Sequence, residues 1–337
     1  MSARTSAVER LQTWWALVGP VPSPIPAGII TKPHDRTRAL DRAYKVGPLC
    51  LRPGEALLTE YVRSGPESLD GITTFESWPI VVEREHDLGE LGDTLEAGRR
   101  YAEGEAVARG EGAPALHRLC GLLSLAWGEA WQVRTAPRFA SRMSPRVPAS
   151  WEPPDRSCLS SPPEPRPAPL PDWVMAAWDR LDGDPSLERS LSMWHQGQML
   201  VPSSPSFALV AFTSSIEAAG CALGFARESG KSTGSTGEIL SGTTGRFWET
   251  VALVRNDAQV RELKSVLRLY KRRSQTVHGA HLHGIEPIYG DWFLFDQKLD
   301  GSWTVANQPY KLWSFVLKAV PRVCAVASDL LLRALSA

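Results

Sequence analysis

The sequence predicts a mainly α protein: a C-terminal helical bundle carrying a small β insertion, preceded by an α+β N-terminal module. Three observations predict it. Apolar residues recur at three- and four-residue steps through most of residues 172–337. Short β-leaning runs separated by Gly, Pro and Ser fill the region from Tyr44 to Glu85. Between the two lies the stretch from Pro137 to Pro171, which holds 11 of the 27 prolines. Proline removes backbone donors and restrains the residue before it, so this stretch is expected to be an extended linker. The expected domains are an α+β module of unknown function at 1–136, the proline-rich linker at 137–171, and the helical domain at 172–337.

In the first module Ala7–Leu17 has a helical pattern that Gly19 would stop. Ala56–Val62, Gly71–Phe75 and Pro79–Val82 are the candidate strands. Ala113–Trp127 places Leu116, Leu119, Cys120, Leu123 and Trp127 on one helical face. In the second half, Asp172 is positioned to cap a helix through Asp179, and Ser186 a helix from Leu187 towards Leu200. Phe207–Phe225 is an apolar run broken by Ser214, Ser215 and Glu217, which predicts a buried helix rather than a membrane span. A Gly/Ser/Thr-rich connection from Glu228 to Gly245 leads to a helix at Arg246–Arg255. Asp257 is then expected to cap a long helix to about His278, with Leu263, Val266, Leu267, Tyr270, Ser274 and Val277 along one side. Beyond Gly279, Trp292–Phe295 and Ser302–Val305 flank Asp300-Gly301 in a hairpin pattern. A last helix is expected over Tyr310–Leu335, kinked or broken at Pro321.

Lys+Arg and Asp+Glu are equal at 37 each, which excludes a polycation and requires any nucleic-acid site to come from local charge. From Gly245 to Ala280, eight Lys/Arg stand against three acids, the one notable basic concentration of the C-terminal half. The five cysteines (Cys50, Cys120, Cys158, Cys221, Cys324) are odd in number and never spaced as CxxC. That pattern predicts reduced thiols and argues against a disulfide framework or structural zinc. No apolar signal core follows Met1, so the expectation is a soluble cytoplasmic protein with no membrane partner.

The chemistry concentrates in Tyr270–Gly279, a basic segment ending in a histidine and a glycine. A guanidinium grips phosphate and an imidazole moves a proton near neutral pH, the pairing that metal-free RNA cleavage requires. Ser274 and His278 share a helix face, with Tyr270 one turn earlier. Arg273 lies five residues before His278, about 140° around a helix, within the swing of a long side chain. Spacing alone is not distinctive, because Arg189 stands six residues before His195, within the same range of four to six. Context separates the pairs: Arg273 ends a basic helix, a polar Ser274 follows it, and Gly279 follows His278. Lys271 and Arg268 are candidate substrate contacts. Arg272 is equally a phosphate ligand or a solvated helix charge. Tyr270 reads as core or dimer contact and Glu217 as the buried partner of a bundle arginine.

Leu269-Tyr270, Arg273-Ser274 and Val277-His278-Gly279 together resemble the Arg-x(4–6)-His motif of HEPN ribonucleases, in the form seen in the Apea-like branch. Ile216-Glu217-Ala218 is similar to that branch's helix bearing a buried glutamate. The resemblance covers roughly 185–337 and leaves the N-terminal half unmatched. It implies a bundle of about four helices whose motif helices face each other across a homodimer. The implied composite site takes catalytic Arg273 and His278 from both protomers, supported by Ser274, Arg272, Tyr270 and Glu217, and acts on RNA with no cofactor or metal. It also implies a bacterial defence or toxin-like setting, with the N-terminal module sensing a trigger or protein partner. Two alternatives stay open: a non-catalytic HEPN scaffold that dimerises and binds RNA or a protein, and a regulatory subunit whose active interface is the first half.

Other motifs have bland readings. His278, His281 and His283 are close in sequence but lack a nearby Cys or acidic ligand, so loop residues are expected rather than a metal site. Gly230-Lys231-Ser232-Thr233 looks like the end of a phosphate-binding loop, but Phe225 stands where its first glycine belongs. Most of the 13 tryptophans, Trp173, Trp178, Trp248 and Trp313 among them, are expected as core or interface anchors. Trp292 and Trp303 are the candidates for stacking on RNA.

Overall fold

A ten-residue strand, β1 (Leu11–Pro20), organises the N-terminal half. It pairs antiparallel with β7 (Ile80–Asp87) along one side. On the other it meets β8 (Trp131–Val133) and β9 (Arg138–Phe139). Trp14, Ala16 and Val18 alternate into full burial, and Leu17 on the opposite parity is buried as well. A strand satisfied on both edges and covered on both faces loses its two-residue period, which is why this run passes for a helix in the sequence. The helix expected at Ala7–Leu17 is thus corrected to strand over residues 11–17, and residues 7–10 lie outside the described residues. The computed structural model describes residues 11–21, 37–62, 71–87, 97–139, 163–201, 203–224, 232–233, 239–240, 243–279, 295–297, 303–305 and 318–336.

The sheet continues from β7 to β4 (Leu49–Pro53) and β3 (Tyr44–Val46), giving the order β3-β4-β7-β1-β8 with β9 beside β1. A hairpin of β5 (Leu57–Val62) and β6 (Gly71–Ser77) occupies the expected β-leaning region. Helix α1 (Ala97–Trp127) packs on β1, β8 and β9. Its Leu116, Leu119, Cys120 and Leu123 are buried as their spacing predicts, while Trp127 is half-buried against Trp131 at 4.8 Å between ring centroids. The buried Ser124 hydroxyl donates to the Cys120 carbonyl and accepts from the Trp131 amide, stitching the end of α1 to β8. The proline-rich span contributes β9 at one end and, at the other, β10 (Arg166–Ala168), which pairs in parallel with β2 (Arg38–Leu40). Residues 140–162 of that span lie outside the described residues.

Two compact units account for the chain: Met1–Pro22 with His34–Trp178, and Ser23–Pro33 with Asp179–Ala337. The division falls inside α2 (Trp173–Gly183).

The second unit is helical among its described residues, apart from two two-stranded ribbons. Helix α3 (Pro185–Leu200) is capped by Asp184, whose carboxylate accepts from the amides of Ser186 and Leu187; the sequence had pointed to Ser186 instead. A four-residue connection returns the chain as α4 (Pro205–Ala222), which packs along α3. Helix α4 also contacts α5 (Thr243–Ala252), α7 (Leu269–Gly279) and α8 (Val320–Ser336), so it is the axis of the bundle. A helix surrounded on most sides must be apolar or small on most sides, and the largely apolar character of the Phe207–Phe225 run, despite Ser214, Ser215 and Glu217, follows. Burial of Leu209, Phe212 and Ile216 is worth roughly 1.5–3 kcal/mol each. The Ser190 hydroxyl donates 2.9 Å to the Ser215 carbonyl, joining α3 to α4. Backbones approach closely at two glycines. A Cβ on Gly197 would stand 2.5 Å from the Phe212 ring, and one on Gly220 would stand 2.4 Å from the Thr250 hydroxyl.

Helix α8 begins at Val320 with Pro321 in its first turn, a position proline tolerates; residues 310–317 of the expected last helix lie outside the described residues. It is tied down by ion pairs from Arg322 to Glu262 and from Arg255 to Asp329. Strands β13 (Phe295–Gln297) and β14 (Trp303–Val305) pair as the sequence predicts for the insertion. No helix among the described residues is long and apolar enough to cross a membrane.

Candidate functional site

The segment expected as one long helix is three pieces. Helix α6 (Asp257–Arg261) starts with a capping box, in which the Asn256 side chain accepts from the Gln259 amide while the Gln259 side chain accepts from the Asn256 amide. Asn256, not Asp257, is therefore the cap. A π turn follows at Glu262–Val266, closed by a five-residue bond from the Leu267 amide to the Glu262 carbonyl at 3.0 Å. Arg268 then adopts φ +50, a left-handed conformation rare outside glycine, before α7 begins at Leu269.

This break has a definable benefit. In a continuous helix Leu267 and Leu269 would point about 200° apart. With the break both are buried. The left-handed residue costs about 1–2 kcal/mol, against roughly 1.5–3 kcal/mol for burying Leu269. The apolar side expected from periodicity is corrected accordingly. Leu263 and Leu267 stay inside, whereas Val266 is 69% and Val277 48% exposed.

The new phase of α7 directs the inward line through Leu269, Arg273 and Thr276, with Leu269 and Thr276 buried. Arg273 reaches α4, where its guanidinium stands 3.6 Å from the Glu217 carboxylate. That separation makes an ion contact longer than an ordinary hydrogen bond. The two side chains retain 21% and 28% exposure, so the pair is sheltered without being sealed. Arg273 Nε and Glu217 Oε1 are buried with no hydrogen-bond partner among the described residues. The guanidinium also lies over the Tyr270 ring at 5.7 Å, and that ring is backed by Phe247 of α5 at 5.3 Å. Burial pushes the Glu217 carboxyl above the ordinary carboxylate range, and the Arg273 charge and the Tyr270 hydroxyl pull it part of the way back.

Arg272 is half-buried beside Arg273, and burial, with the Arg268 charge second, lowers its affinity for its proton. The Thr276 hydroxyl donates to the Arg272 carbonyl at 3.1 Å. On the opposite side of α7, Lys271, Gln275 and His278 are exposed, and Ser274 is half-buried between them. Arg268 is exposed at the joint. Lys271 and His278, seven residues apart, thus share the outward stripe.

Within one chain, the structure brings Arg273, Tyr270 and Glu217 together and sets His278 on a different face of the same helix. Phe247, which supports Tyr270, carries no sequence signal of its own; only the packing of α5 on α4 reveals it. The repeat of the spacing in α3 behaves otherwise, with Arg189 exposed and His195 buried. His281, His283, Lys231 and Trp292 lie outside the described residues. Ser232 and Thr233 form β11, paired with β12 (Ile239–Leu240), and Trp303 lies in β14. Among the described residues no three His, Cys, Asp or Glu side chains group as metal ligands. Set against family models, curated proteins and solved structures, the chain matches none.

Proposed function

We propose that the second unit is a HEPN-type RNA endonuclease that needs no metal, acting at a composite site formed when the α7 helices of two copies meet. The observation that carries this reading is the division of labour along α7. One end of the motif is a guanidinium oriented by Glu217 and Tyr270, and the other is an imidazole exposed on the last turn beside a basic stripe.

RNA brings its own nucleophile, the 2′-hydroxyl. In the proposed reaction His278 of one copy takes the 2′-hydroxyl proton as that oxygen attacks phosphorus. The bond from phosphorus to the 5′-oxygen breaks, and the second copy's histidine gives that oxygen a proton. Arg273 neutralises charge on the pentacovalent phosphorus through paired hydrogen bonds. Lys271 and Arg268 hold flanking phosphates, Arg272 adds positive potential and Ser274 orients the site. DNA, lacking the 2′-hydroxyl, is not cut. The bacterial defence or toxin-like role, and a trigger or partner read by the first unit, follow from the family resemblance.

One observation favours the non-catalytic scaffold: Arg273 already has a carboxylate partner, as a purely structural arginine would. Digestion of total RNA in EDTA by the purified chain decides between them. Cleavage by wild type that falls about 100-fold or more in both Arg273→Ala and His278→Ala supports the enzyme. Unchanged cleavage in both variants removes the mechanism, and RNA binding without cleavage leaves the scaffold.

A further inference from the structure

We propose that the joint between α6 and α7 is a two-register switch, in which α7 turns about its own axis by roughly 120° between the observed arrangement and a continuous α-helix from Asp257 to His278. Four observations meet at this joint. Arg268 holds φ +50 with its side chain exposed. The turn before it is a π turn, wider than the α-helix on either side. Val266 and Val277, which a continuous helix would direct inward with Leu263 and Leu267, are exposed. The ion pair made in this phase of α7, Arg273 on Glu217, is long at 3.6 Å, with one buried atom on each side lacking a hydrogen bond among the described residues.

Three of these are costs of the observed register that straightening the helix relieves together, and the fourth, a long ion pair, is only a weak restraint against it. The left-handed residue and the π turn disappear, and Val266 and Val277 rotate towards the bundle. Leu269 and Thr276, buried now, rotate outward, which is what balances the two registers. Arg273 leaves Glu217, and His278 moves from the far side of α7 to its flank. The switch therefore controls which face of the helix carries the imidazole. It goes beyond the ribonuclease reading, because it concerns side-chain exposure and stands whether or not the site cleaves RNA.

The test uses the full chain with cysteines introduced singly by Val277→Cys and Thr276→Cys. Thiol-labelling rates are read peptide by peptide in a mass spectrometer, so that the native cysteines do not interfere. Each is combined with Arg268→Gly, which accepts positive φ, or Arg268→Ala, which favours continuous helix. The ratio of labelling at 277 to labelling at 276 is expected to be about tenfold or more higher in the glycine background than in the alanine background. If the alanine variant does not fold, glycine against wild type carries the test, with an expected rise of about threefold or more. A ratio that stays within about twofold in the comparison made overturns the switch.

Discussion

Helices α3 and α7 carry the same kind of motif, an arginine followed within two turns by a histidine, and the fold treats them in opposite ways. In α3 the arginine faces out and His195 is buried; in α7 the arginine reaches Glu217 and His278 faces out. Spacing fixes the angle between two side chains on a helix, about 240° for the first pair and about 140° for the second. The phase of that angle relative to the core is set elsewhere. In α3 it is set by Asp184 at the cap, by the Ser190–Ser215 hydrogen bond and by Gly197 against Phe212. In α7 it is set by a π turn and one left-handed arginine. A motif therefore becomes a candidate site only when the core leaves its proton-transfer group in reach of solvent.

The largest effect expected from this contrast is on cleavage. His278→Ala and Arg273→Ala are each predicted to lower RNA cleavage by about 100-fold or more, while leaving urea midpoints close to wild type for His278→Ala, because that imidazole is exposed. Circular dichroism during urea titration, run beside the digestion, checks both halves of the statement. A His278→Ala variant that unfolds early would mean that the residue is structural, as His195 is.

The next effect is on the helix whose phase is fixed by packing. Gly197→Ala places a Cβ 2.5 Å from the Phe212 ring, within contact distance that no side-chain rotation of the alanine can relieve. The expected loss is about 1–3 kcal/mol in a urea melt. A loss below about 0.5 kcal/mol would show that α3 and α4 slide past each other freely, and that α3 is no more fixed than α7.

The same contrast explains what was readable from the residues. Helix α4 was legible because an axis helix is apolar on nearly every side, and the hairpin of β13 and β14 because Asp300-Gly301 marks a turn between aromatic runs. Strand β1 was not, since its Trp14, Trp15, Leu17 and Val18 hide the two-residue alternation. The motif residues were visible as types at a spacing, but their phase was not. Arg268 has no local reason to take φ +50; Leu267 and Leu269 require it only once the bundle surrounds them. Phe247 beneath Tyr270 was invisible for the same reason.

A smaller effect should appear in the pH dependence of stability. Burial raises the Glu217 carboxyl above its ordinary value of 4.5, so the folded state holds this proton more tightly than the unfolded state. The stability that this contributes is present below the ordinary value and is lost as pH rises through the raised one. Glu217→Gln has no such proton and should show a shallower fall in urea midpoint as pH rises above about 4.5. Equal slopes for the two proteins would mean that Arg273 holds Glu217 charged without strain.

Arg189→Ala is expected to do least. Its side chain is exposed on α3, and its motif histidine is buried on the other side of that helix, so removing the charge touches neither core nor a reacting phosphate. Stability should stay within about 0.5 kcal/mol of wild type, and cleavage within about twofold. The value of the measurement lies in its pairing with Arg273→Ala. Both substitutions delete one guanidinium from an Arg-to-His spacing on a helix of the same unit, and the formal charge changes equally. If cleavage fell equally in the two variants, net positive potential would explain the loss, and the phase of α7 would have no special part in it.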